Sequence, residues 1–268
     1  MSTGVLAAIT AAARRSADVR EQAQGHRVHE AAARRAPRGA EFRASLTAPR
    51  ICVIAECKQR SPSRGILRHP YDPAAIASGY ATAGASAISV ITEAAFFDGS
   101  LDHLSAVRDR VAVPLLCKDF ISTPFQIVEA RAAGADAVLL IVAALDAVTL
   151  ESLMAEAARH AMAALVEVHS REELRHALSA GAEIVGVNSR NLKTLQVDIR
   201  ILDEVIKGIS GGVVAVAESG LRSHEDLQRL RSAGYDAFLI GERLMTAPDP
   251  GEALAGLLAS AEEATPNA

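Results

Sequence analysis

The chain of 268 residues can bury one large core, and with half of it hydrophobic but only 3% aromatic and no Trp, that core must be built from Ala, Val, Leu and Ile. A net charge of -4 and so few aromatic rings exclude a nucleic-acid surface, which needs a basic stripe or stacking platforms, and no apolar run approaches membrane-spanning length. Cys52, Cys57 and Cys117 have no metal-ligand spacing, so they read as reduced, buried residues of a cytoplasmic protein without a metal site. In MSTGVLAAITAAARRS the arginines follow the apolar run, which argues against a signal peptide.

Val5, Ile9 and Ala12 followed by Arg14 and Arg15 predict an amphipathic helix from Val5 to about Gln24. A second, Ala-rich helix is expected from Val28 to Arg35, ended by Pro37 and Gly39, and a short piece around Phe42 and Leu46 leads to Pro49. Residues 1–48 carry too little apolar surface for a domain of their own. They are expected to be helices packed on an outer face of a main domain spanning 49–262, with 263–268 a disordered tail.

Beyond Pro49 the chain repeats itself. Ala83-Gly84 precedes AISVI, Ala133-Gly134 precedes AVLLI, Ala180-Gly181 precedes IVGV, and Ala233-Gly234 precedes AFLI, at intervals of about fifty residues. A glycine ending a helix supplies the left-handed C-cap from which the chain turns into a strand. Fifty residues is twice one strand-helix unit, and the intervening strands fall at ICVIA from Ile51, VPLLC from Val113, ALVEV from Ala164 and VVAVA from Val213. Eight such units predict an α/β fold, a closed (β/α)8 TIM barrel with an N-terminal helical extension. An open doubly wound sheet would not need eight units of such even length.

In a barrel of this kind the site lies at the C-terminal ends of the strands. Those ends carry Glu56 and Lys58, Thr92 and Glu93, Lys118 and Asp119, Glu167 and His169, Asn188 and Arg190, Glu218 and Ser219, and Gly241 and Glu242, whereas strand four ends apolar with Leu140 and Val142. Glu56 and Lys58 are two residues apart and leave the same face of their strand. Two lysines and two glutamates at one mouth suit general acid-base chemistry, with the lysine pKa lowered by neighbouring cations or desolvation and the glutamate pKa raised. Singly, each is as well explained by a salt bridge at the barrel rim. Ser219-Gly220 and Gly241 follow the last two strands, where barrels hold a phosphate, and Ser61 in the first loop is a third candidate contact. That loop, Gln59 to Arg68, is rich in Ser, Pro, Gly and Arg and is expected to close over ligand.

Together IAECKQRSPSRG, VITEAAFFDGS, PLLCKDFI, LVEVHSREEL, VGVNSRNLKTLQVD, AESGL and FLIGERLM, in this order between Ile51 and Pro250, resemble the indole-3-glycerol-phosphate synthase family. The resemblance implies a barrel enzyme, a carboxy-lyase of tryptophan biosynthesis that cyclises, decarboxylates and dehydrates 1-(2-carboxyphenylamino)-1-deoxyribulose 5-phosphate without a cofactor. It implies Lys118 as the general acid of ring closure and Glu167 as the acid-base glutamate. Glu56 and Lys58 match the pair that assists dehydration and fixes the substrate carboxylate, and Asn188 and Arg190 the residues that orient Glu167 and the substrate. Ser61, Ser219, Gly220, Gly241 and the backbone of Glu242 match the phosphate cradle. Phe97, Phe120, Leu140, Leu192 and Leu239 match the apolar wall around the anthranilate ring. Asn191 stands where Asp is frequent in the family and Glu242 where some members have Ser, so a Glu242 carboxylate turned toward the phosphate would weaken binding. Cys57 and Cys117 are expected to point into the helix layer as packing residues. The expected partner is a small phosphorylated molecule, and the expected assembly a monomer or weak homodimer. A related phosphosugar barrel enzyme, such as phosphoribosylanthranilate isomerase, would share the phosphate cradle but not the full acid-base set, and a non-catalytic ligand-binding barrel would need neither lysine.

Overall fold

The computed structural model describes residues 4–34, 38–192 and 194–259. Among them eight parallel strands close a barrel in sequence order: β1 (Cys52–Cys57), β2 (Ala87–Ile91), β3 (Leu115–Lys118), β4 (Ala137–Ile141), β5 (Ala163–Val168), β6 (Ile184–Asn188), β7 (Val214–Glu218) and β8 (Ala237–Ile240), with β8 pairing back onto β1. The repeat glycines behave as the sequence requires. Gly84, Gly134, Gly181 and Gly234 have φ of 93°, 101°, 84° and 113°, each ending the helix ahead of an even-numbered strand.

Alternation sorts the strand residues into two cores. Val53, Ala55, Cys57, Val90, Cys117, Leu140, Val166, Val187 and Phe238 face outward to the helix layer, while Cys52, Ile54, Ala87, Leu116, Leu139, Ile141, Leu165, Val216 and Leu239 face inward. The outer helices are α3 (Pro73–Thr82), α4 (Leu101–Arg108), α5 (Pro124–Ala133), α6 (Ala147–Arg159), α7 (Arg171–Ser179), α8 (Arg200–Val205), α9 (His224–Ser232) and α10 (Pro250–Leu258), following α1 and α2 of the N-terminal segment. Cys57 and Cys117 are buried in the helix-facing core as expected, and burial pushes both thiols up.

The N-terminal segment departs from the sequence reading in two ways. The two expected helices are one, α1 (Val5–Ala33), bent at Gln24, where φ is -148°. The proposed stop at Pro37 and the tail 263–268 lie outside the described residues. α1 lies on α5, fixed by the Arg20 guanidinium donating to both oxygens of the buried Glu129 at 2.5 and 2.7 Å. α2 (Gly39–Ser45) does not sit on an outer face: Phe42 and Leu46 are fully buried against the inward-facing core, where small residues such as Ala87, Ala137 and Ala237 leave room for them. α2 thus plugs the N-terminal end of the barrel. A Cβ on Gly39 would stand 2.5 Å from the Ala161 carbonyl, so only glycine lets this plug approach so closely.

Candidate active site

At the opposite end the barrel opens into a cavity of two lobes. One is lined by Pro62, Ile91, Phe97, Phe120, Leu139, Ile141, Leu192 and Leu195, with Lys58, Lys118, Glu56, Glu167 and Asn188 at its base. The other is lined by Ser63, Arg64, Arg190, Ser219, Gly220, Leu239, Gly241 and Glu242 and shares Glu56, Lys58 and Lys118 with the first. Of the residues that the resemblance assigns to the site, all but Leu140 therefore lie around one cavity, Ser61 included, whereas the strand-end residues Thr92, Glu93, His169 and Glu218 do not line it. Leu140 is fully buried in the helix-facing core instead. Ile141 pairs in register with Glu167, whose side chain points inward, so Leu139 and Ile141 share that face and Leu140 takes the other. All five β4 residues are apolar and buried, so the strand itself offers no cue to its parity.

The charged groups form one connected cluster. Lys58 Nζ lies 2.5 Å from Glu56 Oε2, and Lys118 Nζ lies 3.1 Å from Glu56 Oε1 and 3.4 Å from Glu218 Oε2. Glu56, Glu167 and Glu218 are each at most 2% exposed. Burial alone would raise the Glu56 carboxyl, but Lys118 and Lys58 override it and hold it at about 2. Lys118 departs from the sequence expectation. Burial would lower its pKa, yet Glu56, Glu218 and Glu167 around it push it up, so it stands as a firmly held ammonium. The two remaining glutamates are driven apart. Burial and the Glu167 charge push Glu218 up to about 8, whereas in Glu167 the effect of burial is outweighed by His169 and then Lys118, which lower it.

Two glycines make this clustering possible. A Cβ on Gly186 would stand 2.1 Å from Glu218 Oε1, and one on Gly241 would stand 2.1 Å from Glu56 Oε2. Gly241, matched to the phosphate cradle from the sequence, thus also clears space for a carboxylate. Glu218 was named only as a strand end, although its place two residues before Gly220 on an otherwise apolar strand was a usable signal. Thr92 and Glu93 turn out to be structural: Thr92 donates to Asp119 at 2.7 Å, and Glu93 accepts from the Ala95 and Phe96 N–H groups at 2.9 and 2.8 Å.

The second lobe contains the anion-facing parts. Ser219 and Gly220 turn the chain at the end of β7 with φ of 67° and 75°. The Glu242 carboxylate does turn inward, as the sequence left open, and bridges Arg64 Nε at 2.9 Å and Arg190 Nη2 at 3.3 Å. Arg190 is further fixed by donating to the Leu195 carbonyl at 3.1 Å and by its own N–H donating to Asn188 Oδ1 at 2.9 Å. Asn191 serves its loop, accepting from the Thr194 N–H at 3.1 Å. The first loop forms a small antiparallel hairpin, Arg60–Ser61 against Gly65–Ile66, tied at one side by Arg60 to Asp98 at 3.5 Å and at the other by Arg64 to Glu242.

A barrel with buried carboxylates and ammoniums at its mouth, an apolar slot on one side and arginines with exposed backbone on the other defines an acid-base enzyme for an anionic, partly aromatic small molecule. The comparisons are narrower. Residues 6–257 match the family model for indole-3-glycerol phosphate synthase, and this chain belongs to that family. It is 52% identical over 229 residues to the indole-3-glycerol phosphate synthase of Mycolicibacterium gilvum, covering 85% of this chain and 84% of that protein. It is 48% identical over 259 residues to that of Mycobacteroides abscessus, covering 96% and 95%. Among solved structures it is similar to thiamine phosphate pyrophosphorylase from Pyrococcus furiosus, with TM-score 0.58 and 18% identity over 79% of this chain and 95% of that one. It is also similar to N-acetylmannosamine-6-phosphate 2-epimerase from Clostridium perfringens, with TM-score 0.56 and 14% identity over 71% and 86%. At these identities the structural matches speak for the barrel alone.

Proposed function

We propose that the side chains at the barrel mouth divide among them the conversion of 1-(2-carboxyphenylamino)-1-deoxyribulose 5-phosphate to indole-3-glycerol phosphate, CO2 and water. The enzyme is an indole-3-glycerol-phosphate synthase, a carbon-carbon lyase of tryptophan biosynthesis. The observation that carries the assignment of roles is Lys118, an ammonium held between Glu56 and Glu218 where the two lobes meet.

The anthranilate ring lies in the apolar lobe between Phe97, Phe120, Leu139, Ile141 and Leu192, and the phosphate in the lobe of Ser219, Gly220 and Gly241. This places the ribulose carbonyl over Lys118. The ring carbon bearing the carboxylate attacks that carbonyl, and the oxygen takes a proton from Lys118 as it gains charge. An alkoxide is basic enough to take the proton even from an ammonium stabilised by the ionised Glu56 and Glu167. Loss of CO2 returns the bonding pair to the ring and restores its aromaticity. The new hydroxyl then leaves as water with a proton delivered through the Lys58–Glu56 pair, while ionised Glu167 takes a proton from the adjacent carbon to complete the indole. Lys58 also meets the substrate carboxylate before it departs, and Asn188 and Arg190 orient Glu167 and the substrate.

Indole fluorescence after mixing protein and substrate tests this, because a chain without Trp gives little background. Wild type is expected to show a rise that Lys118→Ala loses. Turnover by Lys118→Ala at the wild-type rate would remove Lys118 from the chemistry.

A further inference from the structure

Beside Glu167 stands a group with no part in the reaction as described. His169 leaves the same face of the chain as Glu167 and is 12% exposed; its Nε2 lies 3.3 Å from Glu167 Oε1, off the line of a good hydrogen bond. Its Nδ1 lies 3.1 Å from Glu173 Oε2, and the same oxygen accepts the His169 backbone N–H at 2.7 Å. Glu173 is itself fixed in the first turn of α7, where its N–H donates to Ser170 Oγ at 3.1 Å. The ring is thus bracketed by carboxylates, one at each nitrogen. A neutral imidazole would present a lone pair to one of them, whereas an imidazolium donates toward both.

We infer that His169, held as an imidazolium by Glu173, is a positioning residue that fixes the negative charge on Glu167, the neighbouring buried Glu218 keeping its proton. The inference rests on reading Glu167 as the proton acceptor. Electrostatics agree with the geometry: burial would lower the His169 pKa, but Glu167 and Glu173 raise it to about 10. The groups facing this array are few. Glu167 meets His169 from just beyond its own strand, Lys118 from β3 and Glu218 from β7, and Glu218 meets Lys118 and, from β1, Glu56. Without the imidazolium, burial would raise Glu167 as it raises Glu218. The imidazolium breaks that symmetry.

The test has a spectroscopic and a kinetic arm. In protein labelled with 15N-histidine, comparison with His169→Asn identifies the His169 ring among the eight histidines. It is expected to keep both protons beyond pH 9, and loss of one near the free value of about 6.5 would overturn the inference. In His169→Asn the acidic limb of kcat/KM is expected to move up by about one pH unit, a loss that approaches tenfold only below the wild-type limb and disappears about two pH units above it, with KM little changed. Glu173→Gln shifts the limb in the same direction by less and serves if His169→Asn does not fold. An unmoved limb, with activity reduced equally at every pH, would mean a merely structural histidine. Glu167→Gln separates the two readings. Full turnover there would remove Glu167 as the base, while the titration of the His169 ring would still decide where the charge sits.

Discussion

Glu218 turns inward to meet Lys118 only because Gly186, beside it on β6, has no side chain. Its carboxyl is pushed up to about 8 by burial and by Glu167, so the folded state holds the proton more tightly than the unfolded chain, where a glutamate titrates near 4.3. The sign follows: Glu218 costs no stability in acid, and costs progressively more as pH rises from the unfolded value toward 8. Glu218→Gln is therefore expected to melt several degrees above wild type at pH 8.5 and to match it near pH 4. Melting curves at the two pH values check this, and a variant less stable at pH 8.5 would contradict it. Leu139 and Leu140 give a second contrast at this scale. Leu140 packs between β4 and the helices, so Leu140→Ala is expected to lower stability by about 2–5 kcal/mol in a urea titration, with KM unchanged. Leu139→Ala opens the apolar lobe and is expected to raise KM. The charged strand ends revealed their own facing in the sequence because each could be desolvated only toward a site. Leu140 could not, because β4 is apolar on both faces and its parity is set by its neighbour β5.

The hairpin after β1 spans the mouth between two ion pairs, Arg60 with Asp98 and Arg64 with Glu242. The Glu242 carboxylate also holds Arg190, so two arginines of the proposed phosphate lobe are engaged by one side chain. An incoming phosphate must compete with that carboxylate. Arg64 and Glu242 are partly exposed, and such pairs are worth about 0.2–1 kcal/mol. Glu242→Ser is accordingly expected to lower KM by about two- to fivefold. It should also speed trypsin cleavage at Arg64 in the empty enzyme, since the hairpin loses one tether, with substrate analogue restoring protection. Equal cleavage of variant and wild type would show that the ion pair does not hold the hairpin. Serine, glycine and arginine in this loop made an anion-binding, closing segment legible in the sequence. The tethers were not legible, because Asp98 and Glu242 lie about 40 and 180 residues away and only barrel closure brings them together.

Across the whole molecule the two ends of the barrel are built from opposite materials. The eight units were readable because every second strand follows an Ala-Gly helix end, a local rule of backbone geometry. The plug was not readable: α2 has only seven residues, too few to establish a period, and its apolar Phe42 and Leu46 gave no sign of which surface they would meet. Their partners are small residues at the starts of β2, β4 and β8, far apart in the chain. In a core nearly devoid of aromatic side chains, Phe42 fills a volume that no neighbouring residue can supply. Phe42→Ala is therefore expected to destabilise the fold by about 3–5 kcal/mol, because the surrounding strands are bonded into a closed barrel and cannot collapse onto the space. The charged cluster lies at the other end of the strands, separated from Phe42 by the inward layers of Ile54, Leu116 and Val216. Below its melting range, Phe42→Ala should thus retain wild-type KM and kcat. Urea denaturation beside steady-state kinetics separates the two effects, and a change in KM at a temperature where the variant is folded would show that the plug shapes the site as well as closing the floor.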